Sequence, residues 1–151
     1  MPVVYLGSDH GGLPLKDDVA AVLKAAGCEV RDCGVFTPES VDYPDIAEDV
    51  CQKVASQAGS LGILICGTGI GMSIAANKIP GIRAALCSET YSARMARAHN
   101  DANVLCMGAR VIGVEVAREI VRSFLESGFE GGRHERRVQK ISRLEQLPAS
   151  R

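Results

Sequence analysis

The chain is 151 residues long, 46% hydrophobic and 23% charged, with a formal net charge of −1. That length suits one domain with a core of its own, and the near-neutral balance excludes a global field that would hold a nucleic acid or an anionic membrane. An anionic ligand must therefore be held by a local cluster.

Short β-rich runs alternate with amphipathic stretches of helical length. Residues 3–7 read as a buried strand, followed by a helix with Gly12 before it, Pro14 in its first turn and Gly27 as its stop. Leu15, Val19, Val22, Leu23 and Ala26 fall on one stripe of that helix. Residues 28–33 form a second strand and 45–58 a second helix with Ile46, Val50 and Val54 on one face. The continuous apolar run 61–66 suits a central parallel strand covered on both faces. A Gly-rich turn then leads into a short helix that stops before Pro80. A strand at 82–87, a helix at 90–98, a strand at 104–107 and a helix at 114–127 closed by Gly128 complete the alternation. Residues 131–151 are first basic and then carry Val138, Ile141 and Leu144 at helical spacing. The expected fold is α/β: a three-layer α/β/α Rossmann-like sandwich, a parallel sheet of about five strands and a C-terminal helical tail. One domain is expected over 1–151, with 131–151 an extension that packs on a partner subunit.

No apolar run approaches the roughly 20 residues that span a bilayer, and residues 1–7 lack the basic region and cleavage site of a signal peptide. The six cysteines include no C-x-x-C pair. They are expected to be free thiols in a reducing, cytoplasmic setting, most of them core filler.

Right-handed crossovers place the C-terminal ends of parallel strands on one edge, where such folds bind ligands. Ser8-Asp9-His10-Gly11-Gly12, Cys66-Gly67-Thr68-Gly69-Ile70-Gly71 and Gly108-Ala109-Arg110 each come directly after a predicted strand. Singly, each is ordinary turn chemistry; jointly they point to a ligand edge. Alternate glycines at 67, 69 and 71 expose successive N–H groups to an anion. By position alone Cys66 reads equally as a core thiol, but those N–H groups are expected to lower its pKa towards neutrality, giving a base or nucleophile. A dinucleotide site is disfavoured despite Glu89 about 20 residues on, because the spacing is G-x-G-x-G and comes after the third strand. No Gly-Lys-Ser/Thr comes next, which removes a phosphate-binding loop of the nucleotide-hydrolase kind.

His10 and His99 flank the expected ligand edge beside Asp9 and Asn100, which can orient an imidazole. His134, in a charged run, reads as a surface residue. With no third ligand at suitable spacing, no metal site is expected. Arg133 and Arg137, four apart, share a helix side and suit a phosphate dianion, with Arg110 as a third cation.

Asp9-His10-Gly11-Gly12, the block from Cys66-Gly67-Thr68-Gly69-Ile70-Gly71-Met72-Ser73 to Asn77-Lys78, His99-Asn100 and Gly108-Ala109-Arg110 resemble, in matching order, the motif set of type-B ribose-5-phosphate isomerases. The wider family also holds galactose-6-phosphate isomerase subunits and members that take allose 6-phosphate. The resemblance implies that Cys66 removes the C2 proton of an open-chain aldose and returns it at C1, while the Gly67, Gly69 and Gly71 region stabilises an enediolate. It implies further that Thr68 moves the proton between O1 and O2, and that His99 opens the furanose ring. Asp9 and Asn100 would contact sugar hydroxyls, Tyr43 would line the pocket, and His10, Arg110, Arg133 and Arg137 would grip the phosphate. No cofactor or metal is implied, and the site is built across the interface of a homodimer or dimer of dimers. One branch of the family replaces the cysteine by a glutamate within the Gly-rich block; Met72 stands at that place here, which supports Cys66 as base. The expected ligand is a phosphorylated sugar, with ribose 5-phosphate converted to ribulose 5-phosphate. The alternatives are a six-carbon sugar phosphate, or a non-catalytic sugar-phosphate sensor.

Overall fold

The structure, a computed structural model, describes residues 1–148; residues 149–151 of the expected extension lie outside the described residues. The strands are β1 (Val3–Ser8), β2 (Glu29–Asp32), β3 (Leu61–Cys66), β4 (Ala84–Leu86) and β5 (Val104–Gly108). They form one sheet of order β2-β1-β3-β5-β4 in which every pair is parallel. The helices are α1 (Leu13–Ala25), α2 (Tyr43–Ser56), α3 (Ile70–Ala76), α4 (Thr90–Ala98), α5 (Val114–Glu126) and α6 (Arg133–Arg143), the last ending in a tight turn at Leu144–Gln146.

Successive side chains of a strand point to opposite faces, so the core divides into two clusters. Val4, Leu6, Ile63, Ile65, Leu105 and Met107 pack with residues of α1, α4 and α5. Tyr5, Leu64, Cys66, Val104 and Cys106 pack with α2 and α3. Burying each large aliphatic contributes roughly 1.5–3 kcal/mol, and both faces of β3 and β5 take part. This is the expected three-layer sandwich, with Cys66 on the α2/α3 side.

The junction of β1 with α1 sets the first functional loop. Gly12 N–H donates to Asp9 Oδ1 at 2.9 Å, and Asp9 N–H donates to the Ile65 carbonyl at 3.2 Å. A Cβ on Gly12 would lie 2.1 Å from that same Ile65 oxygen, so the loop can approach β3 only with glycine there. Lys16 is buried on α1, and a buried ammonium requires partners. It bonds to Asp32 Oδ1 at 2.9 Å and to the Val35 carbonyl, which ties α1 to the end of β2.

Helix α2 and strand β4 depart furthest from the sequence patterning. Helix α2 starts two residues before the expected 45, because Pro44 sits in its first turn, where a missing N–H costs nothing. Strand β4 has three residues rather than the expected 82–87. Its flanks are taken by side chains: Asn103 Oδ1 accepts the Arg83 N–H at 2.8 Å. Asn77 accepts the Ala84 N–H at 2.8 Å and donates to the Ala84 carbonyl at 2.9 Å. Over its described residues the C-terminal extension turns back on its own chain, burying His134 and Val138. Glu145 Oε1 there accepts the Gly81 N–H at 2.9 Å. Among the described residues no helix is long and apolar enough to cross a membrane.

Replacing Gly12 by alanine is expected to lower stability by about 2 kcal/mol or more, as overpacking against backbone does. Thermal unfolding reads this as a reduced Tm; an unchanged Tm would mean that the loop can lift off β3.

Candidate active site

The ladder of the sheet brings three loops together. Cys66 pairs with Gly108 and Ser8 with Ile65, so the segments after β1, β3 and β5 leave the sheet side by side. The last two are stitched by Ala109 N–H to the Cys66 carbonyl at 2.9 Å and Arg110 N–H to the Gly67 carbonyl at 3.0 Å. Between them opens a cleft of about 420 Å³ lined by Asp9, Tyr43, Cys66, Gly67, Thr68, Gly71 and Arg110, with Ile70 and Ile74 on its lip.

Within the cleft the Gly69 N–H donates to Cys66 Sγ at 3.1 Å, a contact that becomes charge-assisted whenever the sulfur is ionised. Gly69 has φ +81°, and a Cβ there would meet the Met107 backbone at 2.9 Å; only glycine turns the amide under the sulfur. Thr68 Oγ1, exposed, accepts the Ile70 N–H at 3.2 Å. The Arg110 guanidinium lies over Gly67 and Gly11: a Cβ on either would stand 3.1 Å and 3.5 Å from it, respectively. The Tyr43 ring rests on Gly71, where a Cβ would come within 2.5 Å of it. His10 accepts the Val41 N–H on Nδ1 at 3.2 Å, which leaves Nε2 as the ring's proton-bearing donor.

Of the other thiols, Cys28, Cys51, Cys87 and Cys106 are buried and Cys33 is half-buried. Burial pushes Cys51 up to about 12 and, with Glu89 nearby, Cys87 up to about 11. Burial also pushes Cys28, Cys33 and Cys106 above the usual thiol range. Glu89, the acid of the disfavoured dinucleotide pattern, instead caps α4: both its oxygens accept the Ser92 N–H at 3.0 Å.

His99, Asn100, Arg133 and Arg137 are not gathered with Cys66. The expected place of His99 on the same ligand edge is corrected by topology. The connection from α4 enters the start of β5, where Val104 pairs with Gly62, whereas Cys66 pairs with Gly108 at its end. Those four steps put His99 and Cys66 on opposite edges of the sheet, roughly 13 Å apart in strand rise alone. Asn100 instead lines a groove with Ala84, Ile141 and Leu144. His134 is not a surface residue either: it is buried in the first turn of α6, its ring stacked on His99 with centroids 4.0 Å apart and planes 9° from parallel. Arg133 and Arg137 are exposed on the same helix.

Glu130 completes that cluster, its Oε1 3.6 Å from Nε2 of both histidines. The ligating atoms of His99, Glu130 and His134 lie within 4.8 Å of one another, a grouping that residue spacing did not disclose. Imidazole lone pairs lie in the ring plane, so an ion shared by two parallel stacked rings would sit out of both planes. The cluster therefore does not present a ready metal site without rotation of a ring.

A family model described as Ribose/Galactose Isomerase matches residues 4–141. The chain belongs to the ribose/galactose isomerase family. It is 50% identical over 146 residues to ribose-5-phosphate isomerase B of Escherichia coli, covering 97% of this chain and 98% of that one. The solved structure of Clostridium thermocellum ribose-5-phosphate isomerase B matches with a TM-score of 0.92 at 53% identity, covering 95% of this chain and 97% of that one. The Thermotoga maritima ribose 5-phosphate isomerase matches with a TM-score of 0.90 at 51% identity, covering 94% and 98% respectively. Of the six thiols, Cys66 is the one that lines this cleft.

Iodoacetamide near neutral pH is therefore expected to label Cys66 ahead of the five thiols that burial keeps protonated. Peptide mass mapping at partial labelling reads the order; Cys51 or Cys87 labelled first would overturn it.

Proposed function

We propose that this chain is an aldose–ketose isomerase that interconverts D-ribose 5-phosphate and D-ribulose 5-phosphate by proton transfer on its own side chains. The observation that carries the reading is the Cys66 sulfur held open to a cleft beneath the Gly69 N–H, with a guanidinium on the same edge. The name shared by the relatives in Escherichia coli and Clostridium thermocellum supports the five-carbon substrate.

Cys66 takes the C2 proton of the open-chain aldose, and the electron pair left behind forms the enediolate. Backbone donors at Gly67, Gly69 and Gly71 stabilise its charge, at about 3 kcal/mol for a well-placed donor. Thr68 passes the hydroxyl proton between O1 and O2, and Cys66 returns its proton to C1. Asp9 and Asn100 hold sugar hydroxyls, Tyr43 walls the pocket, and the Nε2–H of His10 with Arg110, Arg133 and Arg137 binds phosphate. Before any of this the furanose must open, and His99 exchanges the protons that break the C1–O4 bond.

Because one chain holds the Cys66 half and the His99 half on opposite edges of its sheet, the working unit is a homodimer, or a dimer of dimers built from it. Each site takes its second half from the partner. Two features support that assembly: Ile70 and Ile74 on the cleft's lip are 53% and 58% exposed, and Ile141, Leu144 and Leu147 of the C-terminal extension face solvent. Covering them with a second copy removes apolar surface from water. The chain folds as one domain, and the outward face of the extension, with Ile141, Leu144 and Leu147, packs on the partner.

Cys66→Ala is expected to lose about 10²–10⁴-fold in turnover of ribose 5-phosphate, the usual span for a general base, while a sugar-phosphate inhibitor still binds by calorimetry. Full activity would remove Cys66 from the mechanism. Co-expressed Cys66→Ala and His99→Ala chains, each nearly inactive alone, are expected to recover about a quarter of wild-type activity. Half of the random dimers are hybrids, and each hybrid rebuilds one intact site. No recovery would mean that Cys66 and His99 serve the same site from one chain.

A further inference from the structure

His99 does not stand alone. Its N–H donates to the Met95 carbonyl at 2.8 Å, and the N–H of Glu130 donates to the carbonyl of Ala98, the residue before it, at 3.0 Å. Glu130 is thus tied by its backbone to the end of α4. It delivers its carboxylate to within 3.6 Å of His99 Nε2 and, through the same oxygen, of His134 Nε2. The side chain of His134 is 11% exposed and that of His99 36%, so His99 is the ring that can meet a ligand and His134 the one that backs it. Burial first, then His99, Arg133 and Arg137, push His134 below the usual histidine range, against the opposing pull of Glu130. Two imidazolium rings face to face would repel, so the stack carries at most one positive charge.

We propose that Glu130, with His134 stacked behind, is a positioning residue for ring opening: it fixes the His99 imidazole towards the sugar and offsets the charge that ring carries during proton exchange. The inference rests on the ring-opening reading of His99. In that step the imidazolium gives its proton to O4 as the C1–O4 bond breaks. The O1 proton returns to the imidazole as C1=O1 forms, so His99 ends as it began. At 3.6 Å the carboxylate is beyond ordinary hydrogen-bond length yet close enough for direct charge attraction, moderated by the water that reaches it. His134 limits the other freedom of the ring, rotation out of the plane in which it faces the substrate.

Two reactions separate ring opening from proton transfer at carbon. Ribose 5-phosphate must open its furanose before Cys66 can act. Ribulose 5-phosphate carries its phosphate on the oxygen a ketofuranose would need, so its reverse turnover starts from an open chain. Glu130→Gln, isosteric and on a half-exposed side chain, is expected to lower kcat for ribose 5-phosphate roughly tenfold, part of the 10²–10⁴-fold of general acid–base catalysis. Reverse turnover to the trapped aldehyde should stay within about twofold, and Glu130→Asp should regain part of the forward loss. His99→Ala should give the same split more deeply. If His99→Ala splits the two directions and Glu130→Gln changes neither, or lowers both alike, the positioning role is overturned and the reading of His99 stands. If His99→Ala itself gives no split, that reading fails, and the proposal fails with it.

Discussion

The register between β3 and β5 sets Gly62 beside Val104 and Cys66 beside Gly108, all running in one direction. In a parallel sheet each crossover carries the chain back to the starting edge, so the loop entering a strand and the loop leaving it can never meet within a single domain. Here the rule divides the chemistry. The loops after β1, β3 and β5 share one edge and make a cleft. The α4-to-β5 connection and α6 share the other and make a cationic, histidine-bearing corner. Each half is internally well held, and under the proposed mechanism a phosphorylated sugar needs both.

The cleft half shows how backbone geometry substitutes for charge. Cys66 closes a strand whose other residues are buried and apolar, and what sets its surroundings apart from those of Cys106 on the neighbouring strand is the turn after the sulfur. Gly69, in its left-handed conformation, folds its N–H back onto the sulfur, and Gly12 lets a second loop close against β3. Burial first, and then the neighbouring thiols Cys51, Cys66 and Cys87, push Cys106 away from ionisation.

Much of this was readable in the residues. The run 61–66 and the amphipathic stretch 90–98 coincide with β3 and α4, because each is bounded by an abrupt change of pattern: a Gly-rich turn after Cys66, a capping Glu89 before Thr90. The cleft residues were legible because they come directly after strands, and parallel topology gathers strand ends. The features that escaped depend on contacts between segments distant in sequence. The three-residue length of β4 reflects side-chain bonds from Asn77 and Asn103, which no periodicity announces. His134 sits among arginines and glutamates, so composition places it on the surface; its burial comes from stacking on His99, 35 residues earlier in the chain. The edge on which His99 lies required strand direction and not merely strand position.

Asn77 has a consequence for assembly. Strand β4 ends the sheet at β5's outer side, and an open edge of that kind is a template for another strand. With its amide bonded to both backbone groups of Ala84, Asn77 occupies the place a neighbouring strand would take. A second chain is thereby denied continuous-sheet pairing at that border and must associate through side-chain surfaces. Such packing allows a two-fold axis to be set by shape, and growth strand by strand is blocked at the β4 border.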